Sequence, residues 1–203
     1  HPVKHITTGE GGAILTNDKI IDKKVFSLRS HGVRKDLKTK NSNGCPWYYE
    51  MHDLGFNYRI TDFQCALGFN QLKKLNKFLK RRREIAEIYN SKFKNKSFIT
   101  VPKINKNCKH AFHLYPLRIN FDQLGISKKK LFKKLNKKKI NLQVHYIPIH
   151  LQPFYKKKLG FKEGDFPVAE KFYKDEVSLP IYFSLQNKQV YNTIKYLTQM
   201  IGI

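Results

Sequence analysis

The chain is short of sulfur, of acidic residues and of long apolar runs, and each shortage removes a class of protein. Its three cysteines, Cys45, Cys65 and Cys108, are odd in number and lack Cys-x-x-Cys or metal-ligand spacing. That excludes a disulfide framework and fits reduced cytoplasmic thiols. Cys65, beside Phe63, Ala66 and Leu67 on an apolar helical stripe, reads as a small core residue. No apolar stretch approaches the roughly 18 residues that cross a bilayer, and no signal pattern is seen, so a soluble, cytoplasmic chain with no membrane partner is expected. Among eight histidines only His110 and His113 form a His-x-x-His pair, without Cys or acidic partners for zinc, and no metal site is expected. Gly-x-Gly-x-x-Gly, Walker and nucleophile-elbow patterns are missing too.

Acidic residues number 15 against 40 Lys and Arg, a net charge of +25. A basic surface can bind nucleic acid by releasing counterions from phosphate. Here, however, seven arginines stand against 33 lysines, whereas base readout and bidentate phosphate grip favour arginine. Runs such as Lys128-Lys129-Lys130, Lys133-Lys134, Lys137-Lys138-Lys139 and Lys156-Lys157-Lys158 fall on the polar faces of expected helices. They read as solvated surface, so no specific nucleic-acid partner is expected, and the positive field would steer an anionic substrate. With 40% hydrophobic residues, 15 Phe and 11 Tyr, the 203 residues can build a core and suit one large or two small domains.

Periodicity gives a coarse map. Ala13 to Thr16 reads as a short buried strand, and Asp18 caps a helix to about Ser30 with Ile20, Ile21, Val25 and Leu28 at helical spacing, stopped by Gly32. Residues 33 to 50 read as a loop. Thr61-Asp62 caps a pattern reaching Phe93, too long for one ordinary helix, so two helices with a break near Leu75-Asn76 are expected. Strands follow at Ser97–Val101, Phe112–Ile119 and Leu142–Tyr146. Helices follow from Ser127, with Leu131, Phe132 and Leu135 inward, at Val168–Lys174 and at Gln186–Met200: an α/β sandwich.

The opening His1-Pro2-Val3-Lys4-His5-Ile6-Thr7-Thr8-Gly9-Glu10-Gly11-Gly12 carries the chemistry. A lysine amine, ordinarily of pKa about 10.4, attacks carbonyls when desolvation or neighbouring positive charge lowers that value. His1, His5, Val3 and Ile6 could supply both, and the glycines admit backbone close to a bound group. The plain alternative is a surface lysine at a strand start.

The segment resembles the active-site lysine motif of the DegT/DnrJ/EryC1/StrS sugar aminotransferases, Ser-Phe-His-x-x-Lys followed by Gly-Glu-Gly-Gly, with the Ser-Phe absent here. Further blocks match in the family's order: Arg29-Ser30-His31-Gly32, Leu54-Gly55-Phe56-Asn57-Tyr58-Arg59-Ile60-Thr61-Asp62, Ala66-Leu67-Gly68, His145-Tyr146-Ile147-Pro148-Ile149-His150-Leu151-Gln152-Pro153 and Ser178-Leu179-Pro180. The resemblance spans essentially the whole chain but only the C-terminal half of such an enzyme, so a fragment, inactive alone, is expected. It implies an α/β chain of PLP-dependent transferase fold type I: residues 1–75 as the C-terminal part of the large domain, then residues 76–203 as a connecting helix and small α/β domain.

It further implies pyridoxal 5'-phosphate (PLP) as an internal aldimine on Lys4, which then serves as general base. L-glutamate would be the donor and a UDP-linked 4-keto-6-deoxy-N-acetylhexosamine the acceptor, aminated at C4 for pseudaminic acid or a related surface glycan. Relatives that dehydrate sugars carry His at this place, so Lys4 favours transamination. Asn57 would reach the cofactor phosphate of the neighbouring subunit, implying a homodimer with shared active sites; its plain reading is a turn residue. Arg59 either pairs with a substrate carboxylate or phosphate or neutralises Asp62. His145 is assigned to substrate contact, with Tyr146 and His150 as weaker neighbours, against the ordinary structural role of a histidine. His31 reads as a helix C-terminal residue. The competing reading is a basic nucleic-acid-binding or catalytically silent interaction protein.

Overall fold

The computed structural model describes residues 1–34 and 45–202 and divides into two units, His1–Lys74 and Leu75–Ile203. The loop expected at 33–50 falls partly on residues 35–44, outside the described residues. No helix among the described residues is long and apolar enough to cross a membrane.

In the first unit, α1 (Lys19–Leu28) begins where the Asp18 carboxylate accepts the amides of Ile20 and Ile21, as its sequence position implies. Beyond it His31 and Gly32 both take positive φ, and the Gly32 amide donates back to the Ser27 carbonyl at 2.9 Å. Two short strands, β1 (Val33–Arg34) and β2 (Glu50–Met51), then pair antiparallel. The strand expected at Ala13–Thr16 does not form, and Ile14 and Leu15 are exposed. A strand needs a neighbour for its ladder, and no described residue offers one there. Of this unit's described residues only Ser27 and Gly32 are buried. Ile20 and Phe63 are 78% and 84% exposed and Cys65 is exposed, so the stripe expected to place Cys65 in a core finds no cover among the described residues.

Helix α2 (Asp62–Phe93) is continuous over 32 residues, where a break near Leu75-Asn76 was expected. The Thr61 hydroxyl accepts the Gln64 amide while the Gln64 side chain accepts the Thr61 amide, a capping box. Past that start, no Pro interrupts the run, and each residue added to an existing helix gains a hydrogen bond without a new nucleation cost.

The second unit has the core. Three antiparallel strands lie in the order β3 (Ile99–Thr100), β4 (Tyr115–Ile119), β5 (Glu176–Leu179). Strand β4 alternates buried and half-buried positions, whereas all four residues of β5 are buried. The short helix α3 (Phe121–Leu124) follows β4. In α4 (Lys128–Asn136) Ser127 caps the N-terminus, Leu131 and Leu135 are buried, and Phe132 packs at the core's margin. Its lysines lie on the opposite, exposed face, apart from Lys128. Next come a 3-10 turn at Ile149–Leu151, α5 (Pro153–Leu159), α6 (Pro167–Asp175) and α7 (Asn187–Ile201).

Leu142–Tyr146, expected as a strand, reduces to one isolated bridge between Gln143 and Ser178. The sheet's third strand is β5 instead. It begins with no intervening residue after α6, so no turn signal announced it.

Candidate active site

In the first unit Lys4 is exposed on an irregular loop whose own hydrogen bonds set its course. The Lys4 amide donates to the His1 carbonyl at 3.2 Å, His1 Nδ1 lies 2.8 Å from Glu10 Oε1, and the Thr8 hydroxyl donates to the Glu10 carbonyl at 2.8 Å. Gln64 of α2 donates to that same carbonyl at 3.0 Å, which ties the loop to the start of the helix. A Cβ on Gly11 would stand 2.5 Å from Thr8 Oγ1 and 3.3 Å from Ile60 Cδ1, so a side chain there would have to displace the Thr8 hydroxyl from its bond to Glu10.

Asn57 and Arg59 lie just ahead of Ile60, on a segment paired to the end of α1. The amides of Phe56 and Tyr58 donate to the carbonyls of Leu28 and Arg29, both at 2.9 Å, and the His31 amide returns to Phe56 at 3.0 Å. Ser30 and Asn57 form the bridge between them. This ladder exposes the side chains of Asn57 and Arg59. Among the described residues Arg59 forms no ion pair, with Asp62 or otherwise, so the neutralising role does not appear. This unit thus exposes an amine ahead of the glycine turn, and an amide and a guanidinium on the segment paired to α1: a group that can condense with a carbonyl, and two that can donate to anionic oxygens.

In the second unit His145 is fixed by β5. Gln143 and Ser178 exchange backbone hydrogen bonds at 3.2 and 2.8 Å, and antiparallel register carried two residues on sets His145 opposite Glu176. The His145 amide donates to Glu176 Oε2 at 3.0 Å. Glu176 and Ser178, two apart on a strand, share a face. The Ser178 hydroxyl donates to Glu176 Oε1 at 2.5 Å, and His145 Nδ1 lies 2.7 Å from Ser178 Oγ. Glu176 is 0% exposed. Lys128 donates to the Tyr173 carbonyl at 2.7 Å. Burial lowers its pKa, while the carboxylates of Glu176 and Asp175 act in the opposite direction.

Tyr146 is 68% exposed, its ring edge-on to His145 with centroids 4.7 Å apart. His150, on the 3-10 turn, is instead buried, its Nε2 2.8 Å from Glu170 Oε1 and its ring against Phe166. Glu170 also accepts the amides of Gly164 and Phe166. The His150 hydrogen bond first, and those amides with it, hold the Glu170 carboxyl below its usual range. The structure therefore brings His145 and Tyr146 to one surface and sets His150 inside, in a buried hydrogen bond with Glu170. Ser178 was flagged only as part of a motif and Glu176 not at all. Their i, i+2 spacing would have joined them once a strand was recognised.

Residues 1–198 match the model of the DegT/DnrJ/EryC1/StrS aminotransferase family. The uncharacterized protein MJ1066 of Methanocaldococcus jannaschii is 44% identical over 202 residues, 100% of this chain and 52% of that protein. The UDP-4-amino-4,6-dideoxy-N-acetyl-beta-L-altrosamine transaminase of Campylobacter jejuni (serotype O:2) is 42% identical over 189 residues, 93% of this chain and 47% of that enzyme. Among solved structures, Helicobacter pylori PseC, an aminotransferase involved in the biosynthesis of pseudoaminic acid, superposes with a TM-score of 0.86 at 32% identity, covering 100% of this chain and 52% of PseC. The chain thus spans about half the length of these relatives.

Proposed function

Because the chain belongs to the DegT/DnrJ/EryC1/StrS aminotransferase family, with the α/β architecture of fold type I transferases, we propose that it serves as a PLP-dependent nucleotide-sugar aminotransferase. The donor is L-glutamate. The acceptor is a UDP-linked 4-keto-6-deoxy-N-acetylhexosamine, aminated at C4 in pseudaminic acid or related surface-glycan synthesis in the cytoplasm. The observation that carries this reading is Lys4, exposed ahead of the glycine turn in the segment that the family match covers.

PLP, when bound, supplies an electron sink for the carbanion formed as the amino donor loses its α-proton. Lys4 Nζ would be the amine that holds the coenzyme's aldehyde carbon and the base that takes the donor's α-proton. The Asn57 amide would donate to a phosphate oxygen of the coenzyme held by the neighbouring subunit, which makes the working form a homodimer with shared sites. The Arg59 guanidinium, without an ion pair in the described residues, takes a carboxylate or phosphate of the substrates. His145 and Tyr146 contact the sugar-nucleotide. His150 supports them from within, its Nε2 being engaged by Glu170. Residues 1–75 act as the closing part of the coenzyme domain, and residues 76–203 as the connecting helix and smaller substrate-reading domain. With the first unit burying so little, these 203 residues are expected to be inactive and poorly soluble alone.

The test uses the full-length protein. Borohydride reduction in the presence of PLP should leave the coenzyme on the peptide carrying Lys4, and Lys4→Ala should abolish both labelling and turnover. A label on another peptide, or none, refutes the reading. Mass and NMR analysis of products from UDP- and dTDP-ketosugars, with glutamate supplied, then tests the acceptor, the C4 chemistry and the donor.

A further inference from the structure

Ser178 and Glu176 take no part in the chemistry above, yet they decide what His145 can offer. Resting on the reading of His145 as a substrate contact, we propose that Ser178 and Glu176 are positioning residues that hold the imidazole proton on Nδ1, so that Nε2 meets the sugar-nucleotide as a hydrogen-bond acceptor.

The protons shared among the three groups can be counted. A carboxylate only accepts, and Glu176 takes two donors: the Ser178 hydroxyl on Oε1 and the His145 amide on Oε2. A serine hydroxyl has one proton, and here it is given to Glu176. Only lone pairs remain on Ser178 Oγ for His145 Nδ1, 2.7 Å away, so Nδ1 must be the donor. In a neutral imidazole the other nitrogen is then bare. The same logic lets a hydrogen-bonded partner fix the tautomer of metal-binding histidines.

The geometry makes this a firm grip. Glu176 and Ser178 are 0% and 4% exposed, so water does not compete with the chain of hydrogen bonds. The carboxylate holds the His145 backbone directly and its ring through Ser178, leaving the ring little freedom to flip. The perpendicular Tyr146 ring limits its tilt from another side. In the neutral ring a bare Nε2 selects ligand groups that donate. A sugar hydroxyl, an acetamido N–H or the newly installed amine fits; a ketone or phosphate oxygen does not. His145 therefore sorts the ligand's donor face from its acceptor face.

The experiment is imidazole ¹⁵N NMR on the full-length holoenzyme labelled in histidine, with the His145 signals assigned by His145→Gln. The expected spectrum has a protonated Nδ1 and an unprotonated Nε2. Ser178→Ala should mix or invert that pattern and raise KM for the sugar-nucleotide about tenfold, with the glutamate half-reaction unchanged and Ser178→Thr restoring both readouts. A proton on Nε2 in the native enzyme, or a tautomer unmoved by Ser178→Ala, overturns the positioning role. The native tautomer with an unchanged sugar KM in both Ser178→Ala and His145→Gln overturns the acceptor role. Neither result touches the Lys4 labelling test, so failure here is distinguishable from failure of the aminotransferase reading.

Discussion

Nη1 of Arg82 donates to the carbonyl oxygen of Ile181 at 2.8 Å, joining residues 99 positions apart in sequence. The same nitrogen lies 3.0 and 3.2 Å from the carbonyls of Phe112 and His113. The side chain is 6% exposed, and among the described residues no carboxylate pairs with it. Burial lowers its pKa, yet a guanidinium keeps its proton under any ordinary condition. The charge is thus spent on three carbonyls, one from the segment that leaves β5 and two from the approach to β4.

Arg82→Met keeps the apolar stem and removes the donors. Each buried carbonyl left unpaired costs roughly 1–3 kcal/mol, offset in part by no longer burying a cation. The expected loss in the full-length protein is about 3 kcal/mol, read as a lower urea midpoint at unchanged slope. A loss below about 1 kcal/mol would mean that water replaces the guanidinium and that the arginine is not what closes this region.

Glu170 gives the acid side of the stability profile. Its carboxyl is held below its ordinary value of 4.5, first by His150 and then by the amides of Gly164 and Phe166. A carboxylate depressed on folding contributes stability that is present above the unfolded value and lost as pH falls through the folded one. Protection of the Gly164 and Phe166 amides from hydrogen exchange should therefore hold at pH 6 and fail progressively below about 4.5. Glu170→Gln should give the acid-form protection at every pH. Full protection of both amides in that variant would show that the loop needs no charge.

Much of this was legible because it is local. Asp18, Ser127 and Thr61 cap helices where their side chains stand ahead of periodic apolar residues, and Leu131 and Leu135 are buried as their spacing implies. Apart from the unbroken α2, the misreadings concern partners distant in the chain. The segment 142–146 carries a strand's composition, yet it pairs with β5 at one bridge only. Glu176, the most hydrophilic residue of β5, argues against burial unless one knows that the His145 amide and the Ser178 hydroxyl come to it. Motif similarity singles out Lys4, Asn57 and His145 as candidates. It could not reveal that His150 lies buried on Glu170, because the pairing depends on how α6 returns past the 3-10 turn.

Tyr89 and Tyr115 set the alkaline limit. The Tyr89 hydroxyl donates to the Pro180 carbonyl at 2.9 Å and that of Tyr115 to Asn90 Oδ1 at 2.7 Å, with ring centroids 4.9 Å apart. Burial pushes both phenols well above their ordinary 10.0, and for Tyr115 the neighbouring Tyr89 adds to it. A value raised on folding means stability complete below the unfolded pKa and lost as pH rises beyond it. Urea midpoints should be level between pH 8 and about 9.5 and fall above pH 10. Tyr89→Phe and Tyr115→Phe should each flatten that fall while costing about 1 kcal/mol at pH 8 for the lost hydrogen bond. An undiminished slope in the double variant would place the alkaline transition elsewhere.

Gly32 and Gly55 together set the position of Asn57, the residue proposed to hold the coenzyme's phosphate. Gly32 takes φ +70, and a Cβ on it would fall 1.7 Å from the Asp53 carbonyl oxygen; on Gly55 a Cβ would meet the Gly32 nitrogen at 2.3 Å and the Leu28 carbonyl oxygen at 2.6 Å. These are backbone atoms in a hydrogen-bonded ladder, so they cannot yield as a side chain would. Gly55→Ala must push the 53–58 segment off the end of α1, and Asn57 moves with it. A displacement near 1 Å is enough to cost up to about 100-fold where positioning matters. PLP should accordingly dissociate 10- to 100-fold more readily from full-length Gly55→Ala during dialysis, about as it would from Asn57→Ala. Borohydride should still label Lys4 at saturating coenzyme, since the loop that carries the lysine is held separately by Gln64 and Thr8. Native retention in Gly55→Ala, with Asn57→Ala impaired, would mean that the ladder tolerates the methyl group and that Asn57 is placed by something other than the contact between the two glycines.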